Sequence, residues 1–156
     1  MGQRGGPRGA LAVPCPSGKE KVSLEIVRSE ARMMPEITDG GRLKVTIKIR
    51  EEGNLVHAEC PIDISRPGVL QKLEKLKAKA IEAEVMSAVR RAQEYRSDPF
   101  GFGAAFRRRY PREWRIMKDA WSEEFFPVVE VRVAAEAKIR RTQMRTRPIL
   151  MELVKS

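Results

Sequence analysis

The chain has a single histidine, His57, and only two cysteines, Cys15 and Cys60, among its 156 residues. A structural zinc site takes about four ligands, and these three scattered residues supply no local set, so neither a metal nor another cofactor is expected. Each cysteine stands beside proline, in Pro14-Cys15-Pro16 and Cys60-Pro61. One falls in an irregular head and the other at the end of a strand pattern, which gives no reason to expect a structural bridge. Long apolar runs are missing as well. None approaches the roughly 20 residues that a spanning helix requires, so any membrane contact is expected to be peripheral. Enzyme motifs are equally scarce. Gly101 and Gly103 follow no strand and precede no Gly-Lys-Ser/Thr, which argues against a phosphate loop. His57 has no nucleophile in a recognised motif near it. Asp98, Glu113 and Asp119 suit capping and helix-face ion pairs better than proton transfer. The chain reads as a non-enzyme.

Positive charge is present in excess: 31 Lys and Arg stand against 21 Asp and Glu, a formal net charge of +10. Such a balance favours acidic partners, whether nucleic acid, anionic lipid or a carboxylate-rich protein face. Basic residues gather at Arg107-Arg108-Arg109 with Arg112 and Arg115, and again at Lys138, Arg140, Arg141, Arg145 and Arg147. Nucleic-acid binders build similar positive surfaces near aromatics. Here Glu113, Asp119, Glu123, Glu124, Glu130 and Glu136 are interleaved, and no helix-turn-helix, RNP-like or zinc-finger pattern appears. A basic nucleic-acid-binding module is therefore kept as the alternative function.

Hydropathy patterning divides the chain into three parts. Residues 1–18 hold five Gly and three Pro with little periodicity, the composition of a flexible head. Within it, Gly9 to Cys15 resembles a lipoprotein signal only faintly. Its apolar part is short, and Pro14 occupies the place of the small residue that precedes cleavage. The folded domain is expected over 19–142, with a C-terminal extension over 143–156.

Val22, Leu24 and Ile26 alternate with Lys21, Ser23 and Glu25, the period of a half-buried strand, and Met33-Met34-Pro35 closes that segment. After a turn at Asp39-Gly40-Gly41, Leu43, Val45, Ile47 and Ile49 form a second strand. The apolar positions then shift parity to Val56, Ala58 and Cys60, which predicts a turn or bulge and a third strand. Ser65 before Arg66-Pro67 is a candidate N-cap for a long helix, whose apolar steps run from Leu70, Leu73 and Leu76 to Val89, Ala92 and Tyr95. A second helix follows Ser97-Asp98-Pro99, with Phe102, Phe106, Tyr110, Trp114, Met117, Trp121 and Phe125 at nearly four-residue steps, broken by Pro111 near Tyr110. Val129 to Ile139 alternate as a last strand. The sum is an α+β fold: an antiparallel sheet of about four strands, with a long helix and a second, proline-interrupted helix packed on one face.

Several of these stretches together resemble a known family. Ala92-Gln93-Glu94-Tyr95-Arg96-Ser97-Asp98, Phe100-Gly101-Phe102-Gly103, Phe106-Arg107-Arg108-Arg109-Tyr110-Pro111 and Glu113-Trp114 resemble the C-terminal domain of the Ger(x)C spore germination proteins, the C subunits of nutrient germinant receptors. Glu52-Gly53-Asn54-Leu55 and the run from Val129 to Arg140-Arg141-Thr142 extend the likeness over Lys19 to Thr142. The resemblance implies a non-catalytic receptor component with an α+β domain and with membrane-embedded receptor subunits as partners. It also implies a peripheral place on the outer face of the spore inner membrane, where the basic face would suit an anionic surface. No catalytic, cofactor or metal residues carry over. Asp98, Phe100, Gly101, Phe102, Gly103, Tyr110, Pro111 and Trp114 are the candidate site, expected to define a turn in the fold or to meet a partner.

Overall fold

The computed structural model describes residues 10–15, 21–58 and 66–140. Its elements run β1 (Ala10–Pro14), β2 (Lys21–Ile37), β3 (Leu43–Ala58), α1 (Val69–Glu94), α2 (Phe102–Arg109), α3 (Pro111–Met117) and β4 (Glu130–Arg140). Between α3 and β4 the chain winds through a 3-10 turn at Lys118–Ala120, a π turn at Trp121–Phe125 and another 3-10 turn at Phe126–Val128. The fold is α+β, as expected, and the strands lie in the order β1-β2-β3-β4.

Strand pairing corrects the expected sheet in four places. Ala10–Pro14, assigned by composition to a flexible head, pairs antiparallel with β2 from Ala10 opposite Glu25 to Pro14 opposite Lys21. A ladder formed with a neighbour outweighs the weak local preference of this segment. β2 also continues past Met33-Met34-Pro35 to Ile37. Pro35 lies well beyond the stretch paired with β1, at the kind of edge position where a missing N–H forfeits no ladder bond. The turn after Thr38 forms as expected, closed by Thr38 N–H donating to Arg42 O and Gly41 N–H to Thr38 O. No turn then separates a second from a third strand. β3 is continuous, and its odd residues from Leu43 to Leu55 stay buried through Glu51 and Gly53. Finally, β4 neighbours β3 with Arg50 meeting Glu136 and Glu52 meeting Arg140, so the two strands advance together. The sheet is therefore mixed, because β4 is reached by a helical crossover and not by a hairpin.

The chain divides into two compact units. The first comprises Ala31–Ile49 and Glu82–Ala134. Leu43, Val45, Ile47 and Ile49 of β3, Val89 and Ala92 of α1, and Phe102, Phe106, Trp121 and Phe126 of the helical segment are all buried in it. α1 stops at Glu94 through a Schellman arrangement: Ser97 N–H donates to Ala92 O, Arg96 N–H donates to Gln93 O, and Arg96 takes φ 55°. Tyr95, placed by periodicity on the apolar face, is instead 76% exposed, because the helix has already ended at that point.

Among the described residues, the second unit is drawn from 10–15, 21–30, 50–58, 66–81 and 135–140. Cys15, Leu24, Leu55, Leu73 and Ile139 form its core, with Val69, Leu70, Leu76 and Ala80 against them. Cys15 is disulfide-bonded, which corrects the expectation of no bridge. β1 carries this cysteine from the apparent head into the core, a consequence of pairing that local composition does not reveal. Cys60, the N-cap candidate Ser65 and the extension 143–156 lie outside the described residues.

Candidate functional site

Asp98 organises the start of α2. One carboxylate oxygen, Oδ1, accepts from the N–H groups of Gly101 and Phe102, both at 3.0 Å, and Oδ2 accepts from Gly103 N–H at 2.8 Å. These are the orphan donors of a helix N-terminus, and a carboxylate there is favoured by both hydrogen bonding and the helix dipole. Gly101 makes the approach possible with φ +81°, a conformation that a side chain resists. Oδ2 also accepts from Trp121 Nε1 at 3.0 Å, 23 residues further along the chain. One buried-edge carboxylate thus holds a helix end and a distant indole together.

Trp121 stands at the centre of the aromatic group. Its ring centroid lies 5.2 Å from Trp114, 5.5 Å from Phe106 and 6.2 Å from Phe126. Phe102 meets Phe126 edge-on at 5.6 Å and stacks on Phe100 at the same distance. Gly103 is required by this packing. A Cβ at that position would sit 2.9 Å from both Trp114 Cη2 and Trp121 Nε1. The π turn explains a departure from the four-residue stripe, since Phe126 N–H donates to Trp121 O and places these two residues in the interior. Phe126 is fully buried, and the expected Phe125 only partly.

The run Ala92 to Asp98 supplies two further grips on the same segment. Gln93 Nε2 donates to Phe126 O at 3.1 Å and to Val129 O at 2.9 Å, and Arg96 meets Glu123 at 3.0 Å. With Asp98 on Trp121, three residues within a short stretch clasp residues 121–129. Tyr110 separates α2 from α3 at φ −130° and ψ 66°, outside the helical region that the following proline disfavours, and its hydroxyl accepts from Ile37 N–H at 3.3 Å. Pro111 opens α3 at a position where no intrahelical donor is needed, and it is exposed.

All eight expected residues therefore fall in one unit. Asp98, Gly103 and Trp114 meet Trp121 directly, Gly101 and Phe102 donate to the same Asp98 carboxylate, Phe100 stacks on Phe102, and Tyr110 reaches the group through Phe106. Trp121 belongs to the four-residue aromatic stripe, whereas Gln93 and Phe126 are joined only in the folded chain. Their signal lies in spacing across a loop, which periodicity does not encode.

A second arrangement centres on a buried lysine. Lys77 of α1 is 0% exposed, and its Nζ has no hydrogen-bond partner among the described residues. Burial lowers its pKa from the usual 10.5, opposed by the nearby carboxylates of Glu51 and Glu74. Gly53 leaves the space it fills: a Cβ there would lie 2.6 Å from Nζ and 2.7 Å from Glu25 O. Glu74 Oε2 in turn accepts from Ile139 N–H at 2.9 Å.

Mixed sheet, long helix and clasped, proline-broken helical segment define an α+β domain in which the recognised motif residues pack and cap. The family model for the spore germination B3/GerAC-like C-terminal region matches residues 4–143. Spore germination protein KC of Bacillus subtilis (strain 168) is 34% identical over 131 residues, which are 84% of this chain and 32% of that relative. The crystal structure of the GerBC protein superimposes with a TM-score of 0.73 at 24% identity, over 85% of this chain and 40% of that one. The chain belongs to the spore germination B3/GerAC-like family and corresponds to its C-terminal domain. It spans about a third of the length of the curated relative it matches.

Proposed function

We propose that this chain serves spore germination as a non-catalytic interaction domain of a nutrient germinant receptor, in the role of the C subunit. Its partners are the membrane-embedded receptor subunits, and its place is peripheral, on the outer face of the spore inner membrane. The observation that carries the reading is the family match over 4–143 together with a relative whose name assigns it to spore germination. The site geometry supports it. Each oxygen of Asp98 already accepts two N–H donors, so this carboxylate works as a fold-defining cap that holds the surrounding surface in shape for a partner. No helix among the described residues is long and apolar enough to cross a membrane.

The test is genetic. Spores lacking the gene should germinate slowly in response to nutrients and normally when the cortex is removed enzymatically, a treatment that bypasses a receptor. Unaltered nutrient response across all germinants that the organism uses would reject the proposal.

A further inference from the structure

We infer that the α2–α3 surface is a docking face for anionic phospholipid, with arginines meeting headgroup phosphates and Ile116 entering the interface. The inference deepens the peripheral-membrane part of the proposed function and rests on it. Residues 107–119 hold six cations, Arg107, Arg108, Arg109, Arg112, Arg115 and Lys118, against two carboxylates, Glu113 and Asp119. All six cationic side chains are exposed. Elsewhere Arg28, Arg50, Arg96 and Arg140 lie against Glu30, Glu136, Glu123 and Glu52. None of the six forms an ion pair among the described residues, so their charge is available to a partner. Arg109 lies over the Tyr110 ring at 5.7 Å, which steadies its stem without neutralising it.

Geometry places these groups where a surface can reach them. On α2, Phe102, Ala105 and Phe106 are buried, leaving Arg107 and Arg108 outward. On α3, Met117 is buried and Trp114 half-buried, while Arg112, Arg115 and Ile116 occupy the i, i+3 and i+4 positions of the opposite face. Ile116 is 81% exposed. An isoleucine held in water between arginines has no packing role in this unit. An apolar residue set among cations is the arrangement by which peripheral helices sit at a headgroup boundary. Five of the six cations are arginine, whose planar fork pairs with phosphate oxygens in two-point contacts that lysine cannot make. These two features favour a phospholipid surface over a carboxylate-rich protein face or a nucleic acid.

Vesicle co-sedimentation of the chain tests this face. The chain should bind vesicles of phosphatidylglycerol and phosphatidylcholine, bind pure phosphatidylcholine far less, and lose affinity as salt rises. The variant R107E/R112E/R115E should bind the anionic vesicles about 100-fold more weakly, at roughly fivefold per arginine removed from the surface. Ile116→Ser should weaken binding several-fold with no change in melting temperature. A matched variant on α1, K72E/K75E/K79E, should retain most of the affinity. Equal loss in both triple variants would show diffuse attraction by net charge and overturn the assignment. Failure of the parent chain to bind anionic vesicles, or loss of oligonucleotide binding alone in the arginine variant, would also overturn it. Vesicle binding can fail while gene deletion still impairs germination, so this inference and the proposed function are separable.

Discussion

Replacing Asp98 with alanine removes the acceptor of four N–H donors at once. Losing a helix cap costs about 0.5–2 kcal/mol. The Trp121 indole N–H, on a side chain only 6% exposed, would also be left without its acceptor at a cost of about 1–3 kcal/mol. Since groups in contact are not additive, a total of about 3–4 kcal/mol is expected, or a fall in melting temperature of roughly 10 °C for a domain of this size. Urea unfolding followed by circular dichroism measures it. Trp121→Phe removes the donor while keeping much of the ring, so in an Asp98→Ala/Trp121→Phe cycle the double variant should lose about 1–2 kcal/mol less than the two single variants summed. A single Asp98→Ala variant within about 0.5 kcal/mol of the parent, or strict additivity in the cycle, would refute the capping argument.

Other substitutions probe the packing and the buried charge. Gly103→Ala should cost about 1–3 kcal/mol in the same unfolding assay, because its methyl would press on the Trp114 and Trp121 rings at 2.9 Å. Phe106→Ala should cost about 3–5 kcal/mol as a fully buried aromatic, whereas Tyr95→Ala, at an exposed position, should cost little. Lys77 gives a pH prediction. Its folded pKa lies below the unfolded 10.5, so between those two values the unfolded chain binds more protons and stability should rise with pH. Lys77→Met should flatten that rise, and parallel pH profiles of the two proteins would contradict the assignment. Cys15→Ser should lower stability by about 2–5 kcal/mol, and a reducing agent should destabilise the parent but not the variant.

Much of the fold was legible because it is written in local periodicity. The long helix, the break at Pro111, the alternating last strand and the Thr38–Arg42 turn each follow from residues within a few positions of one another. The misreadings share a different cause. β1 gains its conformation from β2, Gly53 of β3 lies against Lys77 from α1, and the direction of β4 depends on the crossover before it. In each case the deciding partner is remote in sequence. At the site, the motif residues from Asp98 to Trp114 were visible as a family likeness. What they hold was not, because Trp121 and the Phe126 and Val129 carbonyls are brought to Asp98 and Gln93 only by the π turn and its flanking 3-10 turns.

Affinity capture from detergent-solubilised spore inner membranes tests the central claim most directly. A tagged copy of the chain, expressed from its own locus, should bring down the membrane-embedded germinant receptor subunits. Recovery of the tagged chain free of those subunits, in spores that respond normally to nutrients, would contradict the account.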